Sequence, residues 1–418
     1  MLDREILRRE PERVRAASES KHDRCDIDGW LELDAQRRTV LAEVEKLRQL
    51  RNELSREVSR LKKEGLDSTE FVTRSRDAGT SIAELDKNLN SIDQDMGVLE
   101  LQFPNIPDSD VPVGSSEADN ILIREWGNLP VFDFDPLPHW ELLGSSMDST
   151  AAGKITGSNF ILLRGWMARL QRTLINWMIE FHTSAGMEEV WVPFLANSES
   201  MRTTAQIPKL ESDMYRIDGD DLFLIPTGEV PITSIMRDHT LNESDLPLRL
   251  CGYTPCFRRE AGSYGKDTRG LNRVHQFEKV EIVRFEHPDR SDEALEEMVA
   301  HVEKMLRALE LPYRVLLLST GDLGFAAAKC FDLEIWSAGQ NRWLEVSSVS
   351  NFRDFQARRG SIRFKPADGG RPRLVHTLNG SGLALPRLMA ALVENNQTSK
   401  GGISLPSFLT GTYGLADG

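Results

Sequence analysis

Two runs of apolar residues at seven-residue spacing constrain this chain more than any other feature in it. Leu33, Val40, Leu47, Leu54 and Leu61 recur without a miss, with Val44 and Val58 at the companion positions and Arg51 as the one interruption. A break follows at Gly65-Leu66-Asp67-Ser68-Thr69, and the period resumes at Ile82, Leu89, Met96 and Phe103, with Leu85, Ile92 and Leu99 beside them. A repeat of seven keeps one narrow apolar seam on a helix, so each run needs a partner helix to cover it. The short break between the runs predicts that they cover each other, as an antiparallel coiled-coil hairpin. Each arm of roughly 35 residues spans on the order of 50 Å. Too thin to form a domain core, such a hairpin reaches toward something. Before it, residues 1 to about 25 read as a short helix with Pro11 near a break.

Charge gives the hairpin a direction. The chain carries 51 Lys and Arg against 65 Asp and Glu, a formal charge of −14. That field repels phosphate, so a nucleic-acid partner needs a local basic patch. Seven cations between Lys46 and Lys63 (Lys46, Arg48, Arg51, Arg56, Arg60, Lys62 and Lys63) face only Glu53 and Glu57. They gather toward the tip of the hairpin. The cluster reads either as the solvated face of a coiled coil or as a surface for RNA or another polyanion.

The four cysteines, Cys25, Cys251, Cys256 and Cys330, form no C-x-x-C pair. Reduced thiols in a cytoplasmic protein are expected, and no zinc site. No apolar run approaches membrane-spanning length. The start, MLDREILRRE, is too charged for a signal peptide.

Phe103-Pro104-Asn105-Ile106-Pro107 ends the second helix, and the stretch to about Pro138, rich in Pro, Asp and Gly, reads as a linker. Two domains are therefore expected, 1–107 and 108–418. In the second, a helix over about Met167–Ala185 precedes a short strand, Val190-Trp191-Val192-Pro193. Another short strand, Asp221 to Ile225, runs into Pro226-Thr227-Gly228-Glu229. A charged helix covers about Ser291–Leu309, and strands are expected at Tyr313–Leu318 and Arg342–Val346. A last segment, Leu378 to Arg387, passes from strand to helix. Short strands interleaved with helices and hairpins predict an α+β domain on a mainly antiparallel sheet. Neither G-x-G-x-x-G after a strand nor G-x-x-x-x-G-K-[ST] occurs, which disfavours a parallel nucleotide-binding sheet.

The chemistry concentrates between Tyr253 and Val283. An apolar and aromatic run ends in Phe257-Arg258-Arg259-Glu260, a loop carries Gly262, Gly265, Lys266, Arg269, Gly270 and Arg273, and an alternating segment returns through Val274, Phe277, Lys279 and Glu281. The pattern reads as strand, long mobile loop and antiparallel return. Glycines and cations with little to bury suit a loop that bends around phosphate. Arg258 is the foremost candidate, because a guanidinium grips phosphate or carboxylate in a two-pronged fork at any working pH. On a strand Glu260 would share its face, although R-x-E is equally the pattern of a surface ion pair.

These segments resemble the class II aminoacyl-tRNA synthetases. Pro193 closing a strand after a long helix is similar to their motif 1, Phe257-Arg258-Arg259-Glu260 to motif 2, and Gly380-Ser381-Gly382-Leu383-Ala384-Leu385-Pro386-Arg387 to motif 3. The wording between them (PTGEVPITS, YTPCFRREAGS, HQFEKVE, STGDLGFAAAKCFDLEIW, NFRDFQARR and HTLNGSGLA) resembles seryl-tRNA synthetases of the bacterial type, and so does the coiled-coil arm. The resemblance spans nearly the whole chain.

It implies a homodimer with motif 1 in its interface, and a cytoplasmic enzyme that joins serine to ATP and passes it to tRNA(Ser), with tRNA(Sec) as a further acceptor. It implies that Arg258 holds the α-phosphate and the serine carboxylate, and Glu260 the adenine amino group. Phe277 and Arg387 would sandwich the adenine, with Arg387 also reaching the γ-phosphate. Arg259, Val274, Val346 and Ser347 would complete the ATP site, and Glu345 and Ser348 would bind Mg2+. Thr227, Gly228, Glu229, Glu281 and Ser381, with Asn379 nearby, would select serine. The basic arm would clasp tRNA.

Four departures point to a divergent second copy: Arg259 where serine is usual, Thr203-Thr204-Ala205-Gln206 where a threonine-glycine-glutamine turn is usual, Val349 where cysteine is usual, and an altered ending at Phe408–Thr412. Two other readings compete. A class II carrier-protein ligase should lack the arm, and an inactive RNA-binding paralogue should have broken motifs.

Overall fold

The computed structural model of the chain describes residues 1–260 and 269–412. Gly262, Gly265 and Lys266 lie outside the described residues. Contacts divide the chain into two compact units, one of Met1–Glu19 with Asp23–Pro104, the other of Ser20–His22 with Asn105–Gly418.

The first unit is helical: α1 (Arg4–Arg9), α2 (Pro11–Ser20), α3 (Ile27–Lys63) and α4 (Thr69–Glu100). Pro11 opens α2, where its missing N–H costs nothing. The heptad positions Val44, Leu54 and Leu61 of α3 are buried, as are Ile82, Ile92 and Met96 of α4. Polar ties fix the antiparallel register: Trp30 Nε1 donates to Glu100 Oε1 at 3.0 Å, and Arg37 pairs with Asp93 at 2.8 Å. As one residue number rises, its partner's falls. Gly65, at φ +70°, makes the turn that L-residues with a Cβ rarely adopt. Arg51, the interruption in the seam, is exposed.

The second unit is built on eight strands: β1 (Ile121–Trp126), β2 (Glu188–Glu189), β3 (Leu248–Phe257), β4 (Gln276–Glu286), β5 (Tyr313–Leu317), β6 (Lys329–Ser337), β7 (Arg342–Asn351) and β8 (His376–Ala384). They lie in the order β1-β5-β6-β7-β8-β4-β3-β2. Each neighbouring pair is antiparallel except β2 with β3. The fold is α+β, as expected.

Three helices cover one face: α5 (Trp166–Ser184), α7 (Ser291–Ala308) and α8 (Leu385–Asn395), while a short helix, α6 (Glu229–Ser234), lies between α5 and α7 in sequence. Met167, Leu170, Leu174, Trp177 and Met178 of α5 recur at helical spacing and join Val280 and Ile282 of β4 in the core. Each such side chain contributes about 1.5–3 kcal/mol by leaving water. Gly186, at φ +82°, ends α5 where the sequence placed the break.

Several local expectations need correction. The strand after α5 is Glu188–Glu189, and Val190 to Pro193 lie beyond it. Only Phe223–Leu224 of the 221–225 run is strand. β7 continues to Asn351 rather than stopping at Val346. The stretch from Asp108 to Pro138 is not only a linker, because β1 lies in it and pairs with β5. Its turn-rich flanks hid the apolar run Ile121-Leu122-Ile123.

Candidate active site

β3 and β4 pair from Leu248 with Phe285 to Phe257 with Gln276, which brings Cys256 opposite Phe277. Alternation then divides β4. Val280 and Ile282 enter the helix-covered core, while Phe277, Lys279 and Glu281 face the other way. β3 stops at Phe257, so Arg258 and Glu260 do not share a face through strand pleating. Arg258 is held one residue further by its N–H to His275 O at 2.9 Å, and its Nε donates to Pro226 O at 3.2 Å. Glu260 turns back through a left-handed conformation, φ +50°, and forms an ion pair with Arg273.

A cavity of about 120 Å³ opens here, lined by Arg258, Glu260, Val274, Phe277, Glu345, Val346 and Arg387 among others. The Arg258 guanidinium stands 5.2 Å from the centre of the Phe277 ring. Arg387, in the first turn of α8, donates from Nε to Asn272 O at 3.1 Å, and its Nη1 lies 3.3 Å from Glu345 Oε2. One aromatic ring, two guanidinium groups and two carboxylates on the walls of one cavity suit a flat heterocycle carrying an anionic tail.

A β-bulge decides the next feature. Between β6 and β7 the register runs Leu333 opposite Ser347, then Glu334 opposite Glu345, leaving Val346 as the extra residue. Residues 345 and 348 are three apart and would face opposite sides of a regular strand. The extra residue lets both Glu345 and Ser348 line one larger cavity, of about 540 Å³. Asp332, paired directly with Ser348, lines it too. Burial, and then the neighbouring Glu345, push Asp332 well above the usual carboxylate range. Among the described residues no group of three or more His, Cys, Asp or Glu could hold a metal by itself. Two hard oxygens on the wall of a cavity that Arg258 and Arg273 also line fit Mg2+, which takes most of its ligands from phosphate and water.

The same cavity contains a buried carboxylate cluster. Lys279 Nζ donates to Thr227 Oγ1 at 2.8 Å and forms an ion pair with Glu281. Asn379 Nδ2 donates to the other Glu281 oxygen at 3.0 Å. Glu229, on the first turn of α6, accepts from Gln356 Nε2 at 2.6 Å. Burial pushes Glu229 up to about 7, with the Glu281 charge adding to it. Burial also raises Glu281, against the pull of Lys279 and Arg258. Two buried carboxylates, a hydroxyl and an amide on the wall of one cavity can receive an ammonium and a hydroxyl.

Comparison with known proteins decides among the synthetases. Residues 210–396 match the tRNA synthetase class II core domain (G, H, P, S and T), and residues 1–107 match the seryl-tRNA synthetase N-terminal domain. The chain is 49% identical to the serine--tRNA ligase of Thermomicrobium roseum over 413 residues, 98% of this chain and 92% of that protein. The chain belongs to the seryl-tRNA synthetases. A crystal structure of seryl-tRNA synthetase from Pyrococcus horikoshii complexed with ATP superposes with a TM-score of 0.94 at 34% identity, covering 100% of this chain and 99% of that one. The cytoplasmic serine-tRNA ligase of Naegleria fowleri in complex with AMP follows, with a TM-score of 0.88, 28% identity and coverage of 100% and 98%.

Within this synthetase most of the residues singled out in sequence converge. Arg258, Glu260, Val274, Phe277, Glu345, Val346, Arg387 and Ser381 line the smaller cavity, and Thr227, Glu229, Glu281, Ser348, Asn379 and again Ser381 line the larger. Three do not line either. Arg259 is exposed, with its N–H bonded to Asp213 O at 2.9 Å. Ser347 turns its hydroxyl to Ser381 O at 2.6 Å. Gly228 supports the wall from behind, where a Cβ would come within 3.0 Å of Glu281. Sequence reasoning passed over Lys279 and Gln356. The alternation Phe277-Lys279-Glu281 could have disclosed the first, while nothing local signals the second. Of the departures from the family pattern, Val349 is buried in the core and Ala205 lines the larger cavity.

On the arm, Lys46, Arg48, Arg51, Arg56, Arg60, Lys62 and Lys63 are all exposed. Arg48 and Arg60 pair with nearby carboxylates. Among the described residues Lys46, Arg51, Arg56, Lys62 and Lys63 form no ion pair.

Proposed function

We propose that the chain is a serine--tRNA ligase, which activates L-serine with ATP to seryl-adenylate and transfers the seryl group to the 3′ end of tRNA(Ser). One observation carries the reading: Arg258 lines both cavities, the aromatic one and the carboxylate one. A single guanidinium can there draw the serine carboxylate and the ATP α-phosphate to one point. Proximity and charge neutralisation then serve the attack of the carboxylate oxygen on phosphorus, with pyrophosphate leaving. No general base is required, since that carboxylate is already ionised. In the second step a ribose hydroxyl of the tRNA terminus attacks the seryl carbonyl, and AMP leaves.

The remaining roles follow the chemistry of each wall. Phe277 and Arg387 sandwich the adenine, with Arg387 reaching on to the γ-phosphate, and Val274 contacts the nucleotide through its backbone. Glu260 accepts from the adenine amino group. Glu345 and Ser348 would hold Mg2+, which when bound neutralises phosphate charge. Glu229 and Glu281 receive the serine ammonium, while Thr227 and Ser381 serve its hydroxyl and carboxylate. A site built to bond a hydroxyl rejects alanine by roughly 10⁴-fold, because its polar groups are then left unpaired. Exposed cations on the arm take tRNA(Ser), and that arm sets the protein apart from a carrier-protein ligase. Trp191, 76% exposed beside Pro193, supports a homodimer through that region.

Serine-dependent exchange of pyrophosphate into ATP, without tRNA and beside alanine, threonine and glycine, tests the first step. Exchange with serine alone is expected. Silence with all four would refute the adenylation site. Charging of tRNA(Ser) and tRNA(Sec) in parallel tests the acceptor.

A further inference from the structure

Between the nucleotide-side cavity and α8 lies a buried polar cluster that the chemistry above does not use. Glu394 stands seven residues beyond Arg387, two turns along the same stripe of α8. Both it and His139 are fully buried. The His139 N–H donates to Glu394 Oε1 at 2.9 Å, and His139 Nδ1 lies 2.7 Å from the same oxygen. With Nδ1 donating to the carboxylate, Nε2 keeps its lone pair and accepts the Leu271 N–H at 2.8 Å. Hydrogen bonds from both sides thus select one tautomer of the ring.

Backbone approach at this point is unusually close. Gly270 has φ +62°, and a Cβ there would fall 2.2 Å from His139 Nε2. A second strand of the network runs alongside. Asn272 Nδ2 donates to Gln340 Oε1 at 2.8 Å, and Gln340 Nε2 donates to Glu394 Oε1 at 3.1 Å. Asn272 O accepts Arg387 Nε at 3.1 Å. Leu271 and Asn272 line the cavity that also contains Phe277 and Arg387.

We propose that His139 and Glu394 are a positioning pair, seating residues 270–272 and thereby aligning Arg387 and Val274 on the nucleotide. This rests on the reading of that cavity as the ATP site. Neither residue lines either cavity, and their hydrogen bonds go to Leu271, Ser337, Gly339 and Gln340 rather than to Thr227, Glu229 or Glu281. Losing the pair therefore disturbs ATP and spares serine.

The test is pyrophosphate exchange with ATP and serine varied separately, on His139→Ala and Glu394→Gln in the full chain, beside melting temperatures. Tyr313→Phe serves as a control. It removes a buried hydroxyl that bonds Glu303 and Arg307 elsewhere in the same domain. His139→Ala should lower kcat/KM for ATP about 10- to 100-fold, as a displaced positioning group does. Its serine KM should stay within about twofold, since serine contacts are kept. Glu394→Gln keeps one acceptor for His139 and should show the same split at smaller size; it also carries the test if His139→Ala does not fold. Unchanged ATP parameters in both variants, or ATP and serine parameters declining together with melting temperature as in the control, would overturn the pair. Wild-type protein that neither exchanges nor binds ATP would overturn the nucleotide reading, and the pair with it. Wild-type exchange with unaltered variants would overturn the pair alone.

Discussion

Glu229→Gln separates what the serine site needs from what the fold prefers. Glu229 is buried beside Glu281, and its pKa rises from 4.5 to about 7. The native state therefore holds this proton where the unfolded chain has released it. Stability from this group is fully present below about pH 4.5 and is lost as pH rises through about 7. At ~1.36 kcal/mol per pH unit, that interval is worth about 3 kcal/mol. Glutamine keeps the acceptor for Gln356 Nε2, which lies 2.6 Å from Glu229 Oε1, and it has no proton to lose. Urea unfolding of both proteins at one protein concentration, from about pH 4.5 to about pH 8, should show the variant gaining on the wild type by about 3 kcal/mol across the window. Groups common to both proteins cancel in the difference. The same substitution removes a charge proposed to receive the serine ammonium. Wild-type KM for serine should fall as pH rises through about 7, whereas the variant should bind serine weakly at every pH. Parallel stability curves, with a constant offset between the two proteins, would refute the reasoning about burial.

Three further outcomes are expected. Ala205 is buried at φ +64°, a conformation costing an L-residue roughly 1–2 kcal/mol, so Ala205→Gly should stabilise by about 0.5–1 kcal/mol after the extra freedom of unfolded glycine is subtracted; chemical denaturation reads this, and destabilisation would contradict it. Arg258→Lys replaces a fork with a point charge, and serine-dependent exchange should fall by about 100-fold or more at unchanged folded content by circular dichroism; near-normal exchange would remove Arg258 from the centre of the mechanism. Lys62→Glu with Lys63→Glu should weaken tRNA charging at least about tenfold and flatten its salt dependence, leaving exchange without tRNA intact; unchanged charging would return the basic tip to the role of a solvated face.

Legibility differed by the range over which each signal acts. The hairpin was readable because a seven-residue period is a local property, and it needs only another copy of itself nearby to be satisfied. Phe277, Lys279 and Glu281 share a face for the same reason, since alternation follows from the pleat alone. Where the backbone left regular strand, the local rule failed. Arg258 and Glu260 do reach one cavity, but through a left-handed turn after β3 has ended rather than by alternation. β1 went unread because its apolar run sits among turn residues, and only pairing with β5, almost two hundred positions later, makes it a strand.

The sequence by itself determined the coiled-coil arm, the mainly antiparallel class of the domain and the segments that carry the chemistry. Each depends on periodicity or on residue type over a few neighbours. Tertiary structure decided which of those side chains meet. The bulge at Val346 turns Glu345 and Ser348 to one side, Gln356 reaches Glu229 across more than a hundred residues, and Gly270 closes onto His139 with only a glycine's clearance. These are consequences of register and close packing between distant strands and helices, where one inserted residue or one Cβ changes the outcome. No local pattern encodes them.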